Sequence, residues 1–356
     1  MDSRRRAGRG GYRSALCPTG RASSSTEFCS DTRKFHCWPF SQSSHHKRLV
    51  RFDLFPASSD KMLRKSLETS SDMIIYDLED SVPPARADKD AARHRLLNLL
   101  STTEKLPAPE RIAVRLNSVN TDHFVGDIRC IANIPAVRTL VIPKVDHEDH
   151  LGHVEQGISH VIQSNPELLH QRPEPLSIIA SIESAQALRR IGEIAQWKSK
   201  HGRLGALLFA AEDYCADTRI IRTPSCQELL YTRSKIVAAA RAFGLDAIDM
   251  VCVDYKNLDI LADECTDGRR LGFDGKQAIH PGQVDTIHTK FVPSSSEIAR
   301  AAKILQAMEA AHSSHKGAVS LLVNGRDEMI DAPMLRQAQQ IIQHANQAGL
   351  PIPHQI

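Results

Sequence analysis

Eight short apolar runs alternate with charged, amphipathic stretches between residues 52 and 277, and this alternation restricts the folds open to the chain. Runs rich in Val, Ile and Leu are typical of buried parallel strands, which need helical crossovers to connect them. Eight strand–helix repeats predict an α/β fold, a closed (β/α)8 TIM barrel. The open doubly wound sheet is the alternative, although no glycine-rich phosphate loop follows the first run. The predicted strands are Phe52–Phe55, Met73–Tyr76, Ile112–Leu116, Thr139–Ile142, Leu176–Ile182, Ala206–Phe209, Ala247–Val253 and Gly272–Gln277.

Two connecting stretches show a clear helical period, because their apolar residues recur at three- and four-residue spacing. These stretches are Ser184–Trp197 and Glu228–Phe243. Gly244 follows the second, and glycine favours a helix C-terminus because it takes the left-handed conformation without a Cβ clash. Both helices therefore fit between predicted strands of the barrel.

The pattern changes after Pro293, where the strand–helix alternation stops. The remaining tail is too short to form a domain, so we expect an arm or lid that packs on the barrel or on a neighbouring subunit. The predicted division is a catalytic barrel over residues 48–293 and a C-terminal helical extension over residues 294–356. The elements predicted in the extension are a helix at Ser294–Ala311, a strand at Leu321–Val323 and a helix at Met334–Gln347.

The first 47 residues are rich in arginine and serine and poor in acids. That composition resembles a mitochondrial transit peptide and predicts a disordered targeting segment and a mitochondrial location. A disordered basic tail without a targeting role, or a wrongly assigned start codon, is the alternative. The basic residues include Arg4, Arg5, Arg6, Arg9, Arg13 and Arg21, against the acids Asp2, Glu27 and Asp31.

Composition excludes several other classes of protein. Basic residues are not interleaved with aromatic ones, and aromatic content is only 5%, so nucleic-acid binding is not expected. No apolar run approaches the roughly eighteen residues of a membrane span. The 8 cysteines lack the paired spacing of a zinc site or a disulfide framework, which indicates buried thiols in a reducing compartment.

Two of the predicted strands end in carboxylates. Glu183 follows the run that ends at Ile182, and Asp213 follows the run that ends at Phe209. Side chains at the C-terminal ends of parallel strands point into the mouth of a barrel. Two carboxylates there suit a hard divalent cation such as Mg²⁺, which prefers oxygen ligands and retains exchangeable waters. Each acid taken singly could instead cap the helix that follows.

Charged residues also close the second, third, fourth and eighth strands. Arg115 is placed to bind a carboxylate bidentately or to polarise a carbonyl, although it could simply pair with Glu79. Lys144 and Lys276 permit an alternative in which a lysine forms a Schiff base, as in an aldolase. The metal mechanism is favoured over it because the acids already provide electrophilic activation.

Six segments in register resemble the citrate lyase beta-subunit-like family, which includes the malyl-CoA and citramalyl-CoA lyases. The resemblance extends from about residue 50 to 350. The tail Met329–Gln339 is most similar to the mitochondrial citramalyl-CoA lyase branch and favours a stand-alone CoA-thioester lyase. The six segments are Asp77–Val82, Val114–Ser118, Pro143–Val145, Ile182–Ala185, Phe209–Tyr214 and Gly272–Pro281.

The resemblance implies a Mg²⁺-dependent barrel enzyme in which Glu183 and Asp213 are the metal ligands. Arg115 would bind the oxygen that becomes the product carbonyl. Asp331 would act as acid and base from an adjacent subunit, which implies a homotrimer or a dimer of trimers.

The same resemblance implies where coenzyme A binds. Its tail would lie over the first strand and the basic residues that follow, Lys61 and Lys65. It would also approach the end of the seventh strand, at Val253 and Asp254.

The expected reaction is cleavage of citramalyl-CoA to acetyl-CoA and pyruvate. Cleavage of malyl-CoA or β-methylmalyl-CoA, or a malate synthase-like condensation of glyoxylate with an acyl-CoA, needs the same residues. The sequence does not separate these substrates, because one methyl group changes selectivity by only about 1–3 kcal/mol. An alternative of a different class is a non-catalytic barrel that binds CoA thioesters.

Overall fold

The chain forms a closed barrel of eight parallel strands that pair in the order in which they occur, with β8 returning to β1. The structure is a computed structural model that describes residues 51–315, 317–323 and 326–353. The predicted targeting segment, residues 1–47, lies outside the described residues. The (β/α)8 prediction is confirmed, and the open doubly wound sheet is wrong. The barrel strands are β1 (Arg51–Pro56), β2 (Met73–Asp77), β3 (Ile112–Arg115), β4 (Thr139–Ile142), β5 (Leu176–Ile182), β6 (Gly202–Phe209), β7 (Asp246–Asp249) and β8 (Gly275–Ala278).

Helices surround the strands and connect them. Short 3₁₀ turns occupy Pro109–Arg111, Gln227–Leu229 and Pro281–Gln283. None of the described helices is both long and apolar enough to cross a lipid bilayer. The helices of this part of the chain are α1 (Asp60–Ser66), α2 (Arg86–Thr102), α3 (Phe124–Ile131), α4 (Glu148–Ser164), α5 (Leu168–Gln171), α6 (Ala185–Arg189), α7 (Ile191–Ala195), α8 (Ala211–Thr218), α9 (Leu230–Phe243), α10 (Leu258–Leu271) and α11 (Val284–Phe291).

Strand residues alternate between two apolar cores. Inward-facing side chains form a small cluster inside the barrel, and their outward-facing neighbours join the larger core beneath the helices. Alternation along a strand has a period of two residues, so each strand supplies both cores. The apolar filling leaves the C-terminal ends of the strands as the place for polar chemistry. The inner cluster contains Phe52, Met73, Ile75, Ala113, Val141, Ile179, Ala206, Leu208 and Ile248.

Several predicted elements differ in extent from the observed ones. One is β6, which starts at Gly202 and not at the predicted Ala206. The helix expected at Ser184–Trp197 is two short helices that meet at Arg190. β7 stops at Asp249, short of the predicted Val253. β8 starts at Gly275 because Gly272 takes a φ of +101° and ends α10 in a left-handed turn.

The C-terminal arm, residues 294–353, folds mainly on itself. It consists of α12 (Ser295–Ser313), an antiparallel hairpin of β9 (Val319–Val323) and β10 (Arg326–Ile330), and α13 (Ala332–Gln347). Ser294 and Glu297 form a reciprocal capping box that fixes where α12 begins. The arm has its own apolar cluster, made of Ala301, Ile304, Met308, Ile330 and Ala338.

Candidate active site

Two carboxylates follow neighbouring strands at the mouth of the barrel, close enough for the charge of one to affect the other. Glu183 directly follows β5, and Asp213 lies in the first turn of α8, just after β6. Glu183 is only 5% exposed, and its Oε2 atom has no hydrogen-bond partner. Burial, reinforced by the charge of Asp213, raises the pKa of Glu183 to about 8. A buried carboxylate with an open oxygen beside a second carboxylate is arranged for a cation.

Capping of a helix does not account for Glu183. Ser184 is the residue that caps α6, and its hydroxyl accepts the backbone N–H of Ala187 at 3.0 Å. The Ser184 hydroxyl also donates to Asp146 at 2.5 Å, which ties this turn to the loop after β4. The Glu183 carboxylate is therefore left to face the mouth.

Asp77 and Arg115 form a bidentate ion pair across β2 and β3, where they lie opposite each other in register. Arg115 Nε lies 2.7 Å from Asp77 Oδ1, and Nη2 lies 2.8 Å from Oδ2. Burial opposes ionisation of both side chains, but their mutual attraction outweighs it, lowering the pKa of Asp77 and raising that of Arg115. Asp77 also accepts the backbone N–H groups of Glu79 and Ser81, so the pair is held from both sides.

Arg115 retains donors for a substrate. Its Nη1 atom lies 3.2 Å from Glu79 Oε2, so three of its N–H groups face Asp77 and Glu79. A guanidinium has five N–H donors, so two have no acceptor among Asp77 and Glu79 and can donate to a bound oxygen. The sequence suggested Glu79 as the partner of Arg115, but Asp77 makes the shorter, bidentate contact. The signal available in the sequence was that Asp77 and Arg115 end adjacent strands.

Neither lysine of the Schiff-base alternative is placed for that chemistry. Lys144 Nζ donates to Glu79 Oε1 at 2.6 Å. Burial lowers the pKa of Lys144, but the hydrogen bond and charge of Glu79, together with the charges of Asp80 and Glu183, outweigh burial and raise it, so the amine stays protonated and is a poor nucleophile. Lys276 is fully buried and pairs with Glu264 of α10 at 2.9 Å, outside the barrel wall.

The remaining predicted site residues lie apart from these charges. Asp331 is exposed on the arm, where it caps α13 by accepting the backbone N–H of Met334 at 3.4 Å. Among the described residues of one chain, no hydrogen bond or ion pair joins it to Arg115, Glu183 or Asp213. The predicted coenzyme A residues are also exposed, with Lys61 and Lys65 on α1 and Val253 and Asp254 in the loop after β7.

The donor set fits Mg²⁺ better than a softer metal. Within the described ranges, no cluster of three or more His, Cys, Asp or Glu side chains could hold a metal. Mg²⁺ needs fewer protein ligands, because it commonly takes one or two carboxylates and completes its coordination shell with water and substrate oxygens. The open oxygen of Glu183 and the adjacent Asp213 supply that pair.

Comparison with known proteins identifies the family of this chain. Residues 51–281 match the family described as HpcH/HpaI aldolase/citrate lyase. Citrate lyase subunit beta of Escherichia coli (strain K12) is 31% identical over 295 residues, which cover 83% of this chain and 92% of that protein. The mitochondrial citramalyl-CoA lyase of Rattus norvegicus is 30% identical over 320 residues, which cover 86% of this chain and 89% of that enzyme.

A solved structure shows the same architecture. It is the protein CitE from Mycobacterium tuberculosis in complex with magnesium, acetoacetate and coenzyme A. That protein is 27% identical to this chain and superposes with a TM-score of 0.66, covering 85% of this chain and 100% of its own. With a family match over most of its length and lyases among its relatives, the chain belongs to the HpcH/HpaI aldolase/citrate lyase family and is a carbon–carbon lyase.

Proposed function

We propose that the protein is a Mg²⁺-dependent lyase that cleaves citramalyl-CoA to acetyl-CoA and pyruvate. The observation that supports this most is the buried Glu183 carboxylate, which has an unpartnered oxygen beside Asp213. Glu183 and Asp213 would hold the ion. When bound, Mg²⁺ supplies a Lewis acid that neutralises the substrate carboxylate and lowers the pKa of the adjacent hydroxyl.

The reaction requires one proton to move and one carbon–carbon bond to break. The substrate hydroxyl loses its proton, its oxygen becomes the ketone of pyruvate, and the bond to the methylene carbon breaks. The electron pair passes to the thioester as an enolate, which takes a proton on carbon to give acetyl-CoA. The two free N–H groups of Arg115 donate to the oxygen that becomes the ketone, because preplaced donors stabilise developing charge.

Asp331 would accept the hydroxyl proton and return it to the methylene carbon. Its exposed position on the arm supports a role at the mouth of another copy rather than its own. Two large apolar side chains of the β9–β10 hairpin that precedes Asp331, Leu322 and Met329, are 67% and 77% exposed. Apolar surface of that kind marks an interaction site. A homotrimer with shared active sites would cover it.

Coenzyme A would bind across the rim between α1 and the loop after β7. Lys61 and Lys65 lie one turn apart on α1, so both ammonium groups can reach the phosphates of one ligand. The named lyases among the relatives and the coenzyme A in the CitE complex support this substrate class. The arginine-rich start of the chain and the mitochondrial relatives support a mitochondrial location.

Release of pyruvate from citramalyl-CoA tests the proposal. We expect pyruvate and acetyl-CoA in equal amounts with Mg²⁺, no product with a chelator, and none from Asp213→Asn. Malyl-CoA in place of citramalyl-CoA would give glyoxylate if the alternative substrate is correct. Coenzyme A binding without product from either thioester would reject the proposal in favour of a non-catalytic barrel.

A further inference from the structure

Arg222 connects three elements at the rim of the barrel. It lies in the loop between α8 and α9, and its side chain is only 11% exposed. Nη1 donates to Glu212, and Nη2 donates to the carbonyl of Val251 at 3.0 Å and to Glu264 Oε1 at 3.1 Å. Nothing in the proposed chemistry uses this guanidinium.

The contact with Glu212 acts on the turn that carries Asp213. Glu212 and Asp213 are adjacent in the first turn of α8, so a restraint on one side chain restrains the backbone of the other. The contact with Val251 reaches the loop after β7, two residues before Val253. Arg222 therefore holds the first turn of α8 against the loop where coenzyme A is expected.

The third contact anchors Arg222 to the barrel wall. Glu264 Oε2 lies 2.9 Å from Nζ of the fully buried Lys276, which also approaches Asp249 at 3.8 Å. Asp249 is fully buried and binds Arg233 through Nε and Nη2 at 3.1 and 2.7 Å. Removing one member of such a buried charge network strongly destabilises the fold. The native protein therefore holds these charges in one arrangement.

A glycine makes room for this network. A Cβ atom on Gly268 of α10 would lie 2.5 Å from Asp249 Oδ2, closer than any side chain allows. The close packing of α10 on Asp249 keeps Glu264 beside Lys276. Arg222 is therefore anchored through Glu264 of α10 to Lys276 of β8 and Asp249 of β7.

We propose that Arg222 is a positioning residue that holds the Asp213 carboxylate in place for Mg²⁺. The inference rests on the proposed function, because it takes Glu183 and Asp213 as the metal ligands. Side chains that orient metal ligands typically contribute tenfold to a hundredfold to metal affinity. Arg222 acts through Glu212 and touches neither substrate nor metal.

The direction of the change in Mg²⁺ affinity distinguishes a positioning role of Arg222 from a purely electrostatic one. Arg222 is a cation near a cation site, so its removal would tighten Mg²⁺ binding if only Coulomb repulsion mattered. Positioning predicts the opposite, because the Asp213 turn loses its restraint. Arg222→Lys keeps the charge and removes the three-way contact, since an ammonium is a point charge on a flexible stem.

Isothermal titration with Mg²⁺ alone tests the proposal on the full-length wild type and its variants. We expect Arg222→Gln to weaken Mg²⁺ binding by about tenfold or more, and Arg222→Lys, which loses the same contacts and keeps the positive charge, to weaken it at least as much. Arg86→Gln is the matched control, because Arg86 is exposed and, among the residues that the structure describes, its one ion pair is with Asp90 of α2 at 3.9 Å. We expect its Mg²⁺ affinity to equal that of the wild type.

Unchanged or tighter Mg²⁺ binding by folded Arg222→Gln would overturn the inference. If Arg222→Gln does not fold, Arg222→Lys decides by the same criterion, since its charge is unaltered. Asp213→Asn distinguishes this failure from failure of the proposed function. If Asp213→Asn binds Mg²⁺ as tightly as the wild type, the metal site itself is wrong and both proposals fall. If only the Arg222 variants bind normally, the lyase proposal stands and the positioning role is wrong.

Discussion

Replacing Glu183 by glutamine should stabilise the metal-free protein while abolishing its Mg²⁺ binding. Burial and the neighbouring Asp213 raise the pKa of Glu183 from its ordinary value of 4.5 to about 8. The folded state therefore binds a proton that the unfolded state has lost between these pH values. The contribution of Glu183 to the free energy of unfolding is fully present below pH 4.5. It is lost as the pH rises towards 8, because the unfolded state then binds fewer protons than the folded state.

The size of the stability difference follows from the pH interval between the two pKa values. Each pH unit between the two pKa values is worth about 1.36 kcal/mol, so Glu183 alone should lower the free energy of unfolding by about 5 kcal/mol by pH 8. Glutamine keeps the size of the side chain and cannot ionise. The difference between Glu183→Gln and the wild type should therefore be small at pH 5 and grow steadily to pH 8.

Urea denaturation in a chelator, at several pH values, measures this difference. Titrating groups that do not interact with Glu183, such as the buried Asp53 with its raised pKa, contribute equally to both proteins and cancel. Saturating Mg²⁺ should then restore the stability of the wild type at pH 8 and leave that of Glu183→Gln unchanged. A stability difference that does not vary with pH would contradict this prediction, because Glu183 would then titrate normally.

Three further predictions concern the ion pair, the arm and the lysines. Asp77→Asn should lower the free energy of unfolding by about 3–5 kcal/mol, because it leaves the largely buried Arg115 without its bidentate partner. Thermal or urea denaturation measures this, and Asp90→Asn, at a partly exposed position of α2, should cost less than about 1 kcal/mol. Asp331→Ala should retain Mg²⁺ binding and lose turnover, and mixing it with Glu183→Ala should restore pyruvate release after subunit exchange. No restored activity would contradict a shared site. Borohydride reduction should not attach substrate to Lys144 or Lys276. Detection of substrate on either lysine by mass spectrometry would support the Schiff-base aldolase alternative.

The sequence predicts the barrel because its signals are local. Short apolar runs, their spacing and the acids that end them depend only on neighbouring residues. Glu183 and Asp213 follow directly from those strand ends, and the family match supports the segment order. The fold class could therefore be derived without any contact between distant residues.

The details that the sequence could not provide depend on strand register and on which face of a strand each residue occupies. Arg115 has two acids within reach, and only the pairing of β2 with β3 places Asp77 directly opposite it. Lys276 lies on a strand where a shift of one residue exchanges the inner and outer faces. Its outward position follows from where β8 starts, and Gly272 sets that start by ending α10 in a left-handed turn.

The position of the bound metal decides whether Glu183 and Asp213 form its site. Mn²⁺ can replace Mg²⁺ in crystals of the full-length protein, and its anomalous signal locates the ion independently of the protein coordinates. We expect one strong peak within bonding distance of the carboxylates of both Glu183 and Asp213, strengthened by pyruvate. A peak elsewhere, or no peak between these two side chains in crystals that contain the metal, would contradict this prediction.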